Sequence, residues 1–559
     1  MEKYWWKNAV VYQIYPRSFS DSNGDGIGDL RGITAHLDYI QKLGANVIWL
    51  CPVYKSPMAD NGYDISDYYH VDPSFGTDDD MDELIRESEK RGIKIMMDMV
   101  VNHTSDEHEW FKKALNNPEG YYGKYYFIRK GRGGNPPNNW RSIFGGSAWE
   151  PISGTPYYYL HLFAKKQVDL NWENSALREE IYRMMNWWLD RGIAGFRMDA
   201  VTYLKKEPGL PSFPPDAADG LVSVKYGSLA RPGLTEILRE LHDRTYGPRG
   251  AVTVGETAGI ADSDLQKYIS LADGCFSMIF DFTWSELNLE PPNYFWYNPR
   301  KWTVGELKQN LFHMHEIADK GGWLGLCIEN HDQPRSVERL LEPAGRNFYG
   351  ESMLAVLYFF LRGTPYIYQG QELGMRNVSR DTIEEYNDCS SVNQYRRALA
   401  EGFSPESALA FVRNQSRDNA RTPFQWNNRT NAGFSSGVPW LKVNENYETV
   451  NAAAEDGDSD SMLNFYRTII RLRTDSAYAD VFTDGTMEPV FLDTENVVAY
   501  KRILGKKSVM VLINYQNNRT VLDVKEKILR ILCCNYKKDT VIQHTVELQP
   551  YEAMIIEYS

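Results

Sequence analysis

Cysteines are few in this 559-residue sequence, and none of them has the C-x-x-C spacing of a zinc or redox site. The six are scattered along the chain, at Cys51, Cys275, Cys327, Cys389, Cys533 and Cys534. Because disulfides are rare in reducing compartments, so small a number in so long a chain predicts free thiols and a cytoplasmic protein.

Long apolar runs and an excess of basic charge are also lacking. No run of about 18 apolar residues is present, so the sequence predicts no membrane span. The first residues, "MEKYWWKNAVVYQIYPRSF", lack the basic start and the apolar core of a signal peptide. The formal net charge of −14 argues against nucleic acid or an anionic membrane surface as a partner.

The sequence does contain an alternation of short apolar runs with amphipathic helical stretches, and its length predicts two or three domains. The strand-like runs are "VVYQIYP" (10–16), "ANVIWLCPV" (45–53), "IKIMMDMVV" (93–101), "GFRMD" (195–199), "VTVGET" (252–257), "FSMIFDF" (276–282), "LGLCIEN" (324–330) and "PYIYQGQE" (365–372). Helical patterns such as "ITAHLDYIQKLG" and "DDMDELIRESEKRG" lie between them. Apolar strands covered by helices indicate a parallel sheet.

Eight such units predict an α/β fold, a closed (β/α)8 TIM barrel, with an open doubly wound sheet as the alternative. Residues 104–171 are rich in Gly, Pro, Asn and Tyr and are too long for a βα loop, so they predict an inserted subdomain after strand 3. From about residue 481 only alternating strands follow, which predict a C-terminal antiparallel β-sandwich. The predicted domains are the barrel at 1–103 and 172–480, the insertion at 104–171 and the β domain at 481–559.

Polar residues cluster at the C-terminal ends of the predicted strands, where TIM barrels carry their chemistry. They are Asp60, Tyr63, Asp64, Asp98, Asn102, His103, Arg197, Asp199, Glu256, Glu329, His331 and Asp332. Any one of them alone is more often a cap or a salt-bridge partner. Several carboxylates at one barrel mouth, however, are typical of an acid and a base with separated pKa values. Divalent-metal catalysis and glycoside hydrolysis both use such clusters, and the spacing alone does not decide between them.

Four segments resemble the conserved regions of the α-amylase superfamily, glycoside hydrolase family 13. They are "DMVVNHTS" (98–105), "GFRMDAV" (195–201), "VGETAG" (254–259) and "ENHDQPR" (329–335), and "QVDLNW" (167–172) resembles the fifth region. "NGYDISDY" and "SRDNARTPFQW" (416–426) resemble the oligo-1,6-glucosidase and α-glucosidase group, which also includes sucrose isomerases and trehalulose synthases. The resemblance runs in order over nearly the whole chain.

The resemblance implies a retaining two-step mechanism. Asp199 would be the nucleophile, Glu256 the acid and then the base, and Asp332 the residue that stabilises the oxocarbenium-like transition state. Arg197 and Asp199 lie two residues apart and share one face of their strand, where Arg197 would hold the nucleophile ionised and oriented.

The same resemblance implies a pocket for one glucose unit. His103 and His331 would hydrogen-bond its hydroxyls, Tyr63 would stack beneath its ring, and the pair Asp60 and Arg417 would close the end of the pocket. A closed end makes an enzyme exo-acting. The predicted substrate-binding residues are Asp60, Tyr63, His103, Phe163, Gln167, Arg197, Ala200, His331 and Arg417.

The loop "DSNGDGIGD" (21–29) looks like an EF-hand but lacks the bidentate Glu that an EF-hand needs. The resemblance implies a structural, non-catalytic Ca²⁺ or Mg²⁺ here. Its ligands would be Asp21, Asn23, Asp25, Asp29 and the carbonyl of Ile27. A metal-free loop closed by Asx-turns is the alternative.

Ala200 follows the predicted nucleophile, where oligo-1,6-glucosidases usually have Val. The smaller side chain leaves room for the second sugar and predicts tolerance of α-1,4 links, with a graded preference of about 1–3 kcal/mol. The Arg-Leu-Asp-Arg-Asp motif of sucrose isomerases is not found. The corresponding stretch, "LEPPNYFWYNPRKW" (289–302), predicts either a stacking wall for the acceptor sugar or a packed loop.

The leading hypothesis is an exo-α-glucosidase that acts as a monomer on short α-glucosides such as isomaltose, panose or maltose, without an organic cofactor. A sucrose isomerase, trehalulose synthase or transglucosylase of the same group is the alternative. A non-catalytic glycosidase-like protein is the third possibility, but that class usually lacks the carboxylates present here.

Overall fold

Eight parallel strands close into a barrel in the computed structural model, which describes residues 4–283, 287–290, 295–538 and 544–559. The barrel strands are β1 (Val11–Ile14), β2 (Val47–Leu50), β3 (Lys94–Val100), β4 (Gly195–Asp199), β5 (Val252–Gly255), β6 (Met278–Phe280), β7 (Leu324–Leu326) and β8 (Thr364–Tyr368). Each strand pairs with the next one along the chain, and β8 pairs with β1. The closed barrel confirms the (β/α)8 prediction and excludes the open sheet.

Helices lie between and after the barrel strands, including where the quoted amphipathic patterns predict them. The longer ones are Asp78–Lys90, Ser175–Asp190, Leu234–Arg244, Val304–Ala318, Phe348–Phe359, Cys389–Ala400, Pro405–Gln415 and Met462–Thr474. The shorter ones are Leu30–Ala35, Leu37–Leu43, Glu109–Asn116, Lys225–Ser228, Tyr246–Arg249, Asp262–Ile269, Ser336–Leu340, Ala452–Asp456 and Ala479–Asp484. Among the described residues, no helix is both long and apolar enough to cross a membrane.

One predicted helical stretch is two helices instead. Leu30–Ala35 and Leu37–Leu43 meet at His36, whose backbone leaves the helical region (φ −112°, ψ 15°). The His36 ring stacks on Trp426 at 3.7 Å, and its Nδ1 lies 2.8 Å from the carbonyl oxygen of Gly32. These contacts of the His36 side chain offset the break in the helix.

Short strands fill the long connection between β3 and β4. Ile128–Lys130, Tyr157–Leu160 and Trp149–Pro151 form a three-stranded sheet in that order. Gln167–Asp169 pairs with His103–Ser105, a short strand that follows β3. Trp140–Arg141 pairs with Val222–Ser223, which follows β4, and Tyr54–Lys55 pairs with Asp67–Val71, which follows β2. The register of Gln167–Asp169 against His103–Ser105 returns Gln167 to the barrel mouth.

Antiparallel strands form the C-terminal part of the chain. A five-stranded sheet has the order Thr486–Val490, Val497–Leu504, Lys507–Asn514, Ala553–Tyr558 and Ile528–Cys534, and a second sheet pairs Thr520–Asp523 with Thr545–Leu548. Residues of both sheets share one buried apolar cluster, including Leu512, Leu522 and Leu548. The predicted sandwich is therefore present, and the short helix Ala479–Asp484 precedes it.

Candidate active site

The predicted site residues surround one cavity of about 900 Å³ at the C-terminal ends of the barrel strands. Those that line it are Asp60, Tyr63, His103, Phe163, Gln167, Asp199, Ala200, Glu256, Asp332 and Arg417. Arg197 and His331 are buried directly behind this lining, in contact with Asp199 and Asp332 respectively.

Arg197 joins three carboxylates at the base of the cavity. Its Nη1 lies 2.8 Å from Asp98 Oδ1 and 2.5 Å from Asp199 Oδ1, and its Nη2 lies 3.0 Å from Glu256 Oε2. Asp199 shares a face of β4 with Arg197, and Asp98 lies opposite Arg197 in the β3–β4 register. The charged pair is tolerated in an apolar strand because each charge meets a partner.

One guanidinium does not balance three carboxylates. Burial raises the pKa of Asp199 well above its ordinary value, Arg197 opposes that shift, and Glu256 and Asp98 raise the pKa further. Burial likewise raises the pKa of Asp98, against the effect of Arg197. Burial and the neighbouring carboxylates therefore favour the protonated forms of Asp98 and Asp199, and Arg197 opposes this effect.

Ala200 turns the backbone sharply after β4. Its φ of 47° and ψ of 34° lie in the left-handed region, which residues other than glycine rarely adopt. In this conformation the Ala200 N–H donates to Glu256 Oε2 at 2.8 Å, and Arg197 approaches the same oxygen. Because Oε2 accepts from both donors, a proton carried by Glu256 belongs on Oε1. The Glu256 side chain is 28% exposed and that of Asp199 10%, so Glu256 is the more accessible of the two.

Two arginines and His331 surround Asp332. Arg421 Nη2 lies 2.9 Å and Arg417 Nη1 3.3 Å from Asp332 Oδ1, and His331 Nε2 lies 3.1 Å from Oδ2. Burial alone would raise the pKa of Asp332, but His331 and the arginines outweigh it and hold that pKa well below its ordinary value. Asp332 is therefore an ionised carboxylate facing the cavity.

His331 is neutral and oriented by its neighbours. Burial lowers its pKa to about 3. The Gln13 amide donates to Nδ1 at 2.8 Å, which places the proton on Nε2, 2.6 Å from the Tyr63 hydroxyl. The Tyr63 ring stacks on His331 at 7°, and its hydroxyl donates to Asp98 at 2.9 Å. Tyr63 thus links the histidine to the carboxylate cluster.

A second group of polar residues lines the cavity around Arg417. Arg417 Nη2 is 2.8 Å from Asp60 Oδ1 and 2.7 Å from Asp388 Oδ1. The Gln167 amide donates to Asp60 Oδ2 at 3.0 Å and lies 3.0 Å from His103 Nε2. The structure therefore brings together the pair that was predicted to close the pocket, with a further carboxylate behind it.

Aromatic side chains of the long β3–β4 connection form a wall beside this pair. The Phe163 ring lies 5.3 Å from His103 and 5.7 Å from Phe144. The guanidinium of Arg417 lies 4.9 Å from the centre of the Phe144 ring. Phe144 and Phe163 therefore give the cavity an apolar surface beside Arg417 and His103.

The Alpha amylase catalytic-domain profile matches residues 13–481. The chain belongs to the α-amylase family of glycoside hydrolases. The oligo-1,6-glucosidase of Parageobacillus thermoglucosidasius is 41% identical over 99% of both chains, and the glucan 1,6-alpha-glucosidase of Streptococcus pneumoniae is 42% identical over 100% of both. The solved trehalulose synthase of Pseudomonas mesoacidophila is 38% identical, with a TM-score of 0.92 over 99% of each chain. The family resemblance and the assignment as a glycoside hydrolase are confirmed.

Asp388 and Arg421 contribute to the cavity although neither was predicted as a site residue. Asp388 is fully buried and accepts from Arg417 Nε and Nη2, at 2.9 and 2.7 Å. Asp388 is the N-cap of the helix Cys389–Ala400. The only sequence signal for it was an Asp directly before a helical stretch, which predicts a helix cap rather than a site residue. Arg421, which lies four residues after Arg417 in "SRDNAR", binds Asp332 and the carbonyl of His331. Both arginines contact Asp332, and Arg417 contacts Asp60 as well.

Two strand-end carboxylates support the cavity without lining it. Asp64 accepts the N–H groups of Ala59 and Asp60, at 2.8 and 2.9 Å, and so fixes the loop that carries Asp60. Glu329 accepts from Arg335 Nη1 at 2.6 Å and from Ser336, away from the cavity. These two have the structural role that a single strand-end acid usually has.

The loop 21–29 is closed by hydrogen bonds within the loop and by one from Ser435. Asp21 Oδ1 accepts from the backbone of Asn23 and Gly24, and Oδ2 accepts from Gly26 and Ser435. Within the described ranges, no group of three or more His, Cys, Asp or Glu side chains is arranged to hold a metal ion. The oxygen donors are of the type that Ca²⁺ prefers, but the geometry is that of the Asx-turn alternative, and the metal stays a prediction.

The aromatic stretch 289–302 falls partly outside the described residues, because 291–294 are not among them. Leu289, Phe295 and Trp296 line the cavity. Of the two interpretations of this stretch, the positions of these residues favour a wall of the acceptor site.

Proposed function

We propose that this chain is a retaining exo-α-glucosidase that removes the terminal non-reducing glucose from short α-linked oligosaccharides. The observation that carries the proposal is the arrangement of charged side chains around the cavity. Asp199 and Glu256 share one guanidinium at the cavity base, and the Asp60–Arg417 pair lines the same cavity. The names of the relatives, which describe cleavage of α-1,6-linked glucose, support the substrate class.

In the first step Glu256 gives its proton to the glycosidic oxygen, and the bond to the departing sugar breaks. Asp199 attacks the anomeric carbon from the opposite face and forms a glucosyl-enzyme ester. Arg197 supports both events because it stabilises Asp199 as an anion before attack and Glu256 as an anion after proton transfer. Asp332, ionised and anchored by two arginines, stabilises the positive charge that develops on the ring.

In the second step Glu256, now a carboxylate, takes a proton from a water molecule. The oxygen of this water attacks the anomeric carbon, and Asp199 leaves as a carboxylate. Two inversions at one carbon give net retention of the α configuration. The proton that Glu256 donates leaves with the departing sugar, and a proton from water replaces it, so Glu256 is again protonated at the end of the cycle.

The closed end makes the cleavage exo-acting. Arg417 is held by Asp60, Asp388 and Asp332 at once, and such a buried network resists opening. A glucan chain has no passage at that end, so only a terminal glucose enters. Ala200, beside the nucleophile, leaves space for the second sugar in more than one linkage.

The test is a comparison of kcat/KM on isomaltose, panose, maltose and sucrose. The proposal predicts glucose release from isomaltose and panose, with a weaker but measurable rate on maltose. Isomaltulose or trehalulose from sucrose, in place of glucose and fructose, would instead identify an isomerase. Light scattering in solution and cell fractionation test the further proposals of a monomer and a cytoplasmic location.

Variants of the two carboxylates test the roles. Asp199→Ala and Glu256→Gln are expected to lower turnover by orders of magnitude with unchanged circular dichroism. Glu179→Gln removes a surface carboxylate that pairs with Arg244, and it is expected to keep wild-type turnover. Near-native activity of either active-site variant would contradict the mechanism.

A further inference from the structure

A row of aromatic rings leads from the cavity to the protein surface. The rings of Phe295, which lines the cavity, and Tyr297 stack with centroids 5.3 Å apart and 14° between their planes. The Tyr297 ring lies 5.4 Å from that of Phe403, which is 38% exposed. We call Phe295, Tyr297 and Phe403 the aromatic track.

The aromatic track lies on the acceptor side of the cleaved bond. The helix Cys389–Ala400 begins beside the Asp60–Arg417 pair, and its side chains line the cavity as far as Arg397. Arg397 is roughly two turns along this helix, about 12 Å from its start at ~1.5 Å per residue. That distance exceeds the length of one glucose ring. The track therefore begins beyond the glucose unit that reacts.

Arg397 and its ion-pair partner Asp219 hold the aromatic track in place. The Arg397 guanidinium lies 3.9 Å from the centre of the Phe295 ring, and its Nε donates to the Tyr297 hydroxyl at 3.3 Å. Asp219 connects Arg397, at 3.5 Å, to Arg141, at 2.9 Å. Three separate segments thus fix the rings before any ligand binds, which lowers the ordering cost of binding.

We propose that the aromatic track binds the glucose units of the leaving group beyond the one next to the cleaved bond. The inference rests on the proposed function and adds a chain-length preference to it. Exposed apolar surface that continues a cavity is typical of a binding site. The C–H faces of glucose are apolar, so the exposed ring of Phe403 offers a surface on which such a face can stack. Tetrasaccharides should therefore be better substrates than disaccharides.

The test measures kcat/KM for isomaltotetraose divided by kcat/KM for isomaltose. Phe403→Ala is expected to lower this ratio about three- to tenfold, the effect of losing one aromatic contact. Phe403→Trp, which keeps a flat ring, is expected to preserve the ratio. Tyr349→Ala is the matched control, since Tyr349 is 39% exposed and stacks on Tyr536. This control should leave the ratio unchanged.

The outcomes separate the two proposals. A ratio that is the same in wild type and Phe403→Ala, or an equal fall in Tyr349→Ala, would overturn the aromatic track while leaving exo-cleavage intact. A wild-type protein that cleaves neither oligosaccharide would overturn the proposed function itself. A fall in the ratio confined to Phe403→Ala and reversed in Phe403→Trp supports the track.

Discussion

Ala200→Val tests both the local backbone and the linkage preference. Ala200 has φ of 47°, and the residue is 5% exposed, in an apolar cluster with Tyr203 and Leu210. A β-branched residue strongly disfavours positive φ because its extra methyl groups approach the backbone. Valine would therefore strain the turn that aims the Ala200 N–H at Glu256.

The magnitude follows from these contacts. A residue held in a sparsely populated backbone region costs about 1–3 kcal/mol, and overpacking a buried site costs a similar amount. We expect Ala200→Val to lower the free energy of unfolding by about 2 kcal/mol. Ala200→Gly relieves the positive φ but loosens the unfolded chain, so it should change this free energy by less than about 1 kcal/mol.

Urea denaturation measures the stability, and kcat/KM on maltose and isomaltose measures the preference. Because valine fills space beside the second sugar, it should lower the ratio of maltose to isomaltose activity by about tenfold, within the ~1–3 kcal/mol available to one or two methyl groups. Glycine should leave that ratio at or above the wild-type value. A valine variant as stable as wild type, with the same ratio, would refute the reasoning on both counts.

Three more predictions concern charge and metal. Asp98→Asn removes a negative charge that raises the pKa of Asp199. The acid limb of the pH profile of kcat/KM should therefore move to lower pH. A move to higher pH would contradict the role of Asp199 as the nucleophile. Asp388→Asn keeps the helix cap but weakens the charged hydrogen bond to Arg417. KM for isomaltose should therefore rise about tenfold, with a smaller change in kcat. An unchanged KM in steady-state assays would exclude this positioning role. If the loop 21–29 binds Ca²⁺, the cation at about 100 times its Kd should stabilise chelator-treated protein by about 2.7 kcal/mol. In thermal melts, Asp25→Ala should abolish the stabilisation by Ca²⁺. If Ca²⁺ does not stabilise the wild-type protein, the predicted metal site is wrong.

Much of the site could be predicted because it lies at strand ends. The apolar runs predict the strands, and the C-terminal ends of the strands converge in a closed barrel. The sequence alone therefore predicts that Asp199, Glu256 and Asp332 line one cavity, as they do. The roles came from the family resemblance, since spacing alone left metal chemistry open. The roles assigned to individual residues stay predictions.

The parts that could not be predicted depend on tertiary contacts. Asp388 lies on a helix rather than a strand, and only the fold shows that its carboxylate meets Arg417. The left-handed turn at Ala200 has no sequence signal, because the usual signal is glycine. His36 interrupts a regular amphipathic pattern because its ring stacks on Trp426, a residue far away in the chain.

The central claim is that Asp199 forms a covalent bond to glucose. The most direct measurement uses a fluorinated α-glucosyl fluoride whose glucosyl-enzyme breaks down slowly, followed by proteolysis and mass spectrometry of the labelled peptide. The account predicts one sugar bound to the peptide that contains "GFRMDAV", at Asp199. A label on Glu256 or Asp332, or full inactivation with no labelled peptide, would contradict it.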